Sequence, residues 1–88
     1  MKQLMNNRHY KTLQIAFRDS VSGTIRWDDV EALLLAVGAD LIEGNGSRIC
    51  FVARGEVETF HRPHLDKEAK RYQIKAARAY LIRLGVIP

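Results

Sequence analysis

Apolar residues along this chain follow a helical period first, then a strand period, then a helical period again. Tyr10, Leu13 and Phe17, with Ala16 beside them, are spaced as one face of a helix over residues 7–19. Arg8, Lys11 and Arg18 are left to face water. Residues 20–23, Ser-Val-Ser-Gly, read as a loop. A second helix over 27–37 carries Val30, Leu33, Leu34 and Val37 on one face. Asp28 and Asp29 in its first turn suit the positive end of the helix dipole. Gly38 is its natural end, because glycine takes the left-handed conformation without a Cβ clash.

Three short strands are expected next, over 40–43, 48–53 and 56–61. Gly44-Asn45-Gly46-Ser47 is turn chemistry between the first two. No helix follows those glycines, so they read as a turn rather than a phosphate cradle. Arg54-Gly55 fits a two-residue hairpin loop. That loop pairs Arg48 with His61, Ile49 with Phe60, Cys50 with Thr59 and Phe51 with Glu58. One face then holds Ile49, Phe51 and Phe60 and reads as the core side, with Glu58 out of place on it. The other holds Arg48, Cys50, Val52, Val57, Thr59 and His61. A one-residue change in the loop would flip one strand against the other.

The last helix is expected over 73–84, with Ile74, Ala77, Leu81 and Leu84 as its stripe and Tyr80 at the margin. Gly85 ends it. Residues 65–72 are charged and read as loop or a ragged first turn. The fold class is α+β. Without the first helix, the order α-β-β-β-α is that of double-stranded RNA-binding domains, with helices covering one face of a three-stranded antiparallel sheet. Trp27 reads as packing at the start of its helix rather than as a base-stacking platform.

Composition narrows the picture. Eighty-eight residues make a single domain, 1–88, with a thin core that buries roughly 60–65% of the unfolded surface. A hydrophobic content of 47% is globular, not disordered. The net charge of +4 and pI near 9.6 favour nucleic acid or an acidic protein as partner. Cys50 is the only cysteine, so no internal disulfide forms, and its apolar run marks it as a small buried hydrophobe. No zinc spacing, signal peptide or membrane-spanning run is visible, so a cytoplasmic protein without metal or cofactor is the default.

Candidate chemistry gathers in residues 61–72. His61 and His64 flank Arg62-Pro63, and Lys67, Lys70 and Arg71 follow at once. Imidazole exchanges protons near neutral pH, and cations beside it suit a phosphate-bearing partner. His61 and His64 can serve as base and acid at a phosphate ester, whose developing charge calls for cations. Arg48, brought opposite His61 by the hairpin, supplies a clamp, with Arg62, Lys67, Lys70 and Arg71 as phosphate contacts. Arg54 and Lys75 are weaker candidates. The plainer alternatives are a loop-capping His64, a solvated Arg48–His61 pair and a solvated basic face. His9 reads as a surface histidine.

From Trp27 to the end, the chain resembles the HicA (YcfA-like) toxins of toxin–antitoxin pairs. The matching pieces are Leu33-Leu34 with Gly38, Gly46-Ser47 opening a strand that ends in Phe51, Pro63-His64 followed by Lys67-Glu68, and the closing Leu84-Gly85-Val86. About two-thirds of the chain is covered. Residues 1–22 look like an added helix and loop before a core over 23–88. The resemblance implies a dsRBD-like fold and a small metal-independent endoribonuclease acting on messenger RNA. It also implies a HicB-type antitoxin that occludes the site. The family's usual catalytic histidine follows the Gly-Ser pair, where Arg48 stands here. Arginine is no proton acceptor near neutral pH. The alternative reading is therefore a non-catalytic RNA-binding module, or a degenerate toxin that binds only RNA or its antitoxin.

Overall fold

The computed structural model describes residues 5–18 and 25–88. Its elements are α1 (Asn7–Ala16), α2 (Trp27–Ala36), β1 (Asp40–Glu43), β2 (Arg48–Ala53), β3 (Glu56–His61) and α3 (Arg71–Arg83). The strands form one antiparallel sheet in the order β1-β2-β3. The result is the expected α+β order, consistent with a dsRBD-like fold.

Helix α1 starts on a reciprocal cap. The Asn6 side chain accepts from the His9 N–H at 3.0 Å, and the Asn6 N–H donates to His9 Nδ1 at 3.1 Å. His9 is thus a capping residue, not the unpartnered surface histidine the sequence pointed to. The helix stops at Ala16, short of the expected 19, and Phe17 is its C-cap. Its buried stripe is Thr12, Leu13 and Ala16, which leaves Tyr10 about half exposed instead of in the core. Arg8 does not simply face water either. Its guanidinium meets Asp29 at 2.6 Å and ties α1 to the first turn of α2. The loop expected over 20–23 lies outside the described residues.

Val30, Leu33, Leu34 and Val37 are all buried, and Gly38 takes φ +101° to end α2. The hairpin register is as expected, with Arg48 opposite His61 and Phe51 opposite Glu58. Both residues of the Arg54-Gly55 loop have positive φ, 51° and 77°, as a primed two-residue turn requires. Ile49, Phe51 and Phe60 are buried under the helices. Glu58 shares their face but sits at its edge, where it reaches Arg83 of α3 at 3.2 Å. Arg83 also meets Glu56 at 2.8 Å and lies 5.2 Å over the Tyr80 ring. Tyr80 is fully buried rather than marginal, and its hydroxyl donates to the Glu56 carbonyl at 3.1 Å. Burial pushes its phenol pKa up, against the opposing pull of Arg83. The outer sheet face stays open, with Ile42, Arg48, Val57, Thr59 and His61 exposed. Cys50 lies on that face, half-buried, with Sγ 3.2 Å from Thr59 Oγ1. It is not a core residue, because strand alternation turns it away from Ile49 and Phe51.

Part of the charged stretch before α3 is tied to the chain ahead of α2, and Arg71 and Tyr72 already belong to the first turn of α3. The Trp27 N–H donates to the Lys67 carbonyl at 2.9 Å and the Ala69 N–H to the Ile25 carbonyl at 2.8 Å. This short antiparallel bridge, Arg26 opposite Glu68, buries Ala69 and lets α3 begin at Arg71.

Candidate functional site

Strand β3 ends at His61, and the Arg62 N–H extends its ladder by donating to the Ser47 carbonyl at 2.9 Å. Pro63 then turns the chain. His64 and Leu65 stand exposed on the loop before the Lys67–Ala69 bridge returns the chain to the core. The loop is a ridge between two clefts. One, of about 360 Å³, is lined by His61, Pro63, His64, Lys70, Tyr72 and Gln73, among others. The other, of about 610 Å³, is lined by Trp27, Glu31 and Lys67, and the loop residues Arg62, His64 and Leu65 line both.

Gln73 holds this arrangement together. It is 1% exposed, its Nε2 donates to the His61 carbonyl at 2.7 Å, and its Oε1 accepts from the Lys70 N–H at 2.9 Å. One buried amide thus links the end of the histidine strand to the start of α3. The sequence reading missed it. The available signal was glutamine three residues after an N-cap position, half of a capping box. An expected helix start at 73 instead of 71 hid that spacing.

Arg62 also differs from expectation. Its guanidinium meets Glu31 at 2.7 and 3.2 Å and Glu43 at 3.2 Å. Those hydrogen bonds, Glu31 first, raise its pKa further above the ordinary arginine value. Three of its donors are engaged by carboxylates, so it anchors the loop. Glu31 also accepts from Trp27 Nε1, and the Trp27 ring packs 5.3 Å from that of Phe60.

The other cations are spread. Lys70 lines the histidine cleft, with Nζ 3.7 Å from Asp66. Lys67 lines the larger cleft, and Arg71 is exposed at the first position of α3. Arg48 is opposite His61 in backbone register, yet its side chain leans the other way, over Gly44. A Cβ on Gly44 would lie 2.9 Å from Arg48 Nε. Arg48 borders a separate depression of about 410 Å³ with Ile42, Cys50 and Thr59. The sheet thus brings His61, His64 and Lys70 to one cleft and keeps the Arg48 guanidinium outside it. Among the described residues, no cluster of three or more His, Cys, Asp or Glu side chains is placed to hold a metal ion, and no helix is long and apolar enough to cross a membrane.

The family model "HicA toxin of bacterial toxin-antitoxin" matches residues 27–86, the span from α2 to just past α3. The chain belongs to the HicA toxin family. Membership puts it on the toxin side of a toxin–antitoxin pair, with a cognate antitoxin as partner. No curated protein and no solved structure matches the chain. Helix α1 precedes the matched HicA span, yet Leu13 and Ala16 contribute to the same core.

The Glu31 anchor of this HicA domain is open to a direct test. Glu31→Ala leaves the Trp27 Nε1–H and two Arg62 donors without their acceptor. The orphaned buried indole alone is expected to lower stability by about 1–3 kcal/mol. Glu43 is largely exposed, so Glu43→Ala is expected to cost less than about 1 kcal/mol. Urea midpoints of the two variants check this, and equal midpoints would remove Glu31 as the anchor.

Proposed function

We propose that this HicA-family chain is a metal-independent endoribonuclease acting on messenger RNA, with His61 and His64 as its acid–base pair and a HicB-like antitoxin as its inhibitor. The observation that carries the reading is the cleft that His61, His64 and Lys70 all line. A neutral imidazole takes the proton of a ribose 2′-hydroxyl. The oxygen attacks the adjacent phosphorus, and the P–O5′ bond breaks. The other imidazole, protonated, gives its proton to the leaving 5′-oxygen. The products are a 2′,3′-cyclic phosphate and a 5′-hydroxyl, with no net proton consumed. Lys70, Lys67 and Arg71 supply positive charge along the strand, and Arg48 serves as a further phosphate contact from the neighbouring depression. Residues 1–22 form an addition to a HicA core over 23–88.

Purified protein is expected to cut RNA in excess chelator and to leave cyclic phosphate ends. Cleavage that needs added divalent metal would overturn the metal-free route. One observation favours a second reading. Arg48, which the resemblance sets at the place of the family's usual catalytic histidine, lies outside the histidine cleft. RNA that is bound but never cut would establish a non-catalytic module that binds RNA or antitoxin.

A further inference from the structure

Two exposed apolar side chains border the histidine cleft without a packing role. Tyr72, on the first turn of α3, is 64% exposed, and Leu65, next to His64, is 96% exposed. Among the described residues the Tyr72 hydroxyl has no hydrogen-bond partner and its ring no aromatic neighbour. The other rings have structural work. Trp27, Phe51, Phe60 and Tyr80 are buried, and Phe17 lies under Arg78 at 6.0 Å. Only Tyr10 is comparably exposed, and it lies on α1, away from this cleft. An aromatic ring and a leucine left in water beside two imidazoles and a lysine call for a ligand that is both charged and flat.

We infer that Tyr72 is a stacking platform for one unpaired nucleobase, with Leu65 as the opposing apolar wall, so that the site takes single-stranded RNA. The inference rests on the ribonuclease reading and names the form of its substrate. A nucleotide offers a π-face for Tyr72 and a phosphate for Lys70 and Arg71, which is the combination single-strand sites use. The one acidic side chain in the cleft, Asp66, is paired with Lys70 and exposed, so it does not reverse the local sign. A paired duplex keeps its base faces stacked internally and offers Tyr72 nothing. The dsRBD-like order of elements by itself points to duplex RNA, and the cleft points the other way.

The test uses the full chain and a 2′-O-methyl RNA 12-mer, which lacks the attacking hydroxyl and so is not cut. It is titrated as a single strand carrying 2-aminopurine and again as a blunt duplex. Wild type and Tyr72→Phe are expected to bind the single strand more tightly than the duplex and to change the 2-aminopurine emission on binding. Tyr72→Ala is expected to weaken single-strand binding about 5- to 150-fold and to leave duplex binding unchanged. Because Tyr72 is exposed and unbonded, the variant keeps its fold, which circular dichroism checks. Unchanged single-strand affinity in Tyr72→Ala, or preference of the wild type for duplex, overturns the platform and leaves the nuclease reading standing. Failure of the wild type to bind either RNA overturns both readings. A Tyr72→Ala defect confined to antitoxin binding assigns the ring to the protein partner and overturns the platform alone.

Discussion

Replacing His64 with alanine is expected to slow RNA cleavage by about 10²–10⁴-fold, and His61→Ala by a similar factor. The double variant should be little slower than either single one. Base and acid act on the same transfer, so loss of one already removes the concerted path. Both side chains are exposed, so neither substitution opens a cavity or orphans a buried group, and thermal midpoints should stay near wild type. That separation between activity and stability distinguishes proton transfer from structural support. Initial rates on end-labelled RNA in chelator, measured beside melting curves, read both quantities. Induced expression should halt growth for the wild type and spare it for the variants. Full activity in both single variants would remove the two histidines from the chemistry.

Gln73 predicts the opposite pattern. Gln73→Leu fills the same space but leaves the His61 carbonyl and the Lys70 N–H without partners in a buried site. Each orphaned group costs about 1–3 kcal/mol, so a loss of about 2–5 kcal/mol is expected. That is a large share of the ~5–15 kcal/mol typical of a whole domain. Gln73→Glu adds a pH test. Protonated, the carboxyl copies the amide, donating to the His61 carbonyl and accepting from the Lys70 N–H. Ionised, it is a buried charge facing a carbonyl. Its folded-state pKa is therefore raised above the unfolded one. The folded form holds the proton longer, so the variant's stability relative to wild type is greatest at low pH and falls as pH rises through the raised pKa. Urea titrations of both proteins at pH 4.5 and 7.5, about where those limits fall by that argument, provide the check. A constant gap would show that residue 73 is not sealed between β3 and α3.

The two experiments probe different parts of the site for a physical reason. His61 and His64 are held in position by backbone, and their side chains have no hydrogen-bond partner among the described residues. Gln73 is the reverse, a side chain with no access to substrate that fixes where His61 ends its strand and where Lys70 starts its helix.

What the sequence alone determined is whatever depends on period and turn chemistry. The 3.6-residue spacing of Val30, Leu33, Leu34 and Val37 marked a helix face. The Arg54-Gly55 loop, with both residues at positive φ, set the register that puts Arg48 opposite His61. Gly38 marked a helix end. These are local rules that act within a few residues, so they are legible without a fold. The family resemblance was legible too, through the pieces from Trp27 onward, and the matched span of 27–86 agrees with it.

What only the tertiary structure decided involves partners far apart in the chain. Glu31 and Arg62 meet across 31 positions, which makes an expected phosphate contact an anchor of the loop as well. Ile25 and Ala69 pair across a longer gap and convert a charged loop into a bridge. Glu58, misplaced in the alternation of its strand, is explained by Arg83 on the last helix. Arg48 has the predicted backbone partner but a side chain turned toward Gly44, because a glycine there leaves space that a Cβ would fill. For Arg62, Glu58 and Arg48 the backbone position follows from the local pattern. The side chain's role is set by the partner that folding brings within about 3 Å, the range at which hydrogen bonds and ion pairs act.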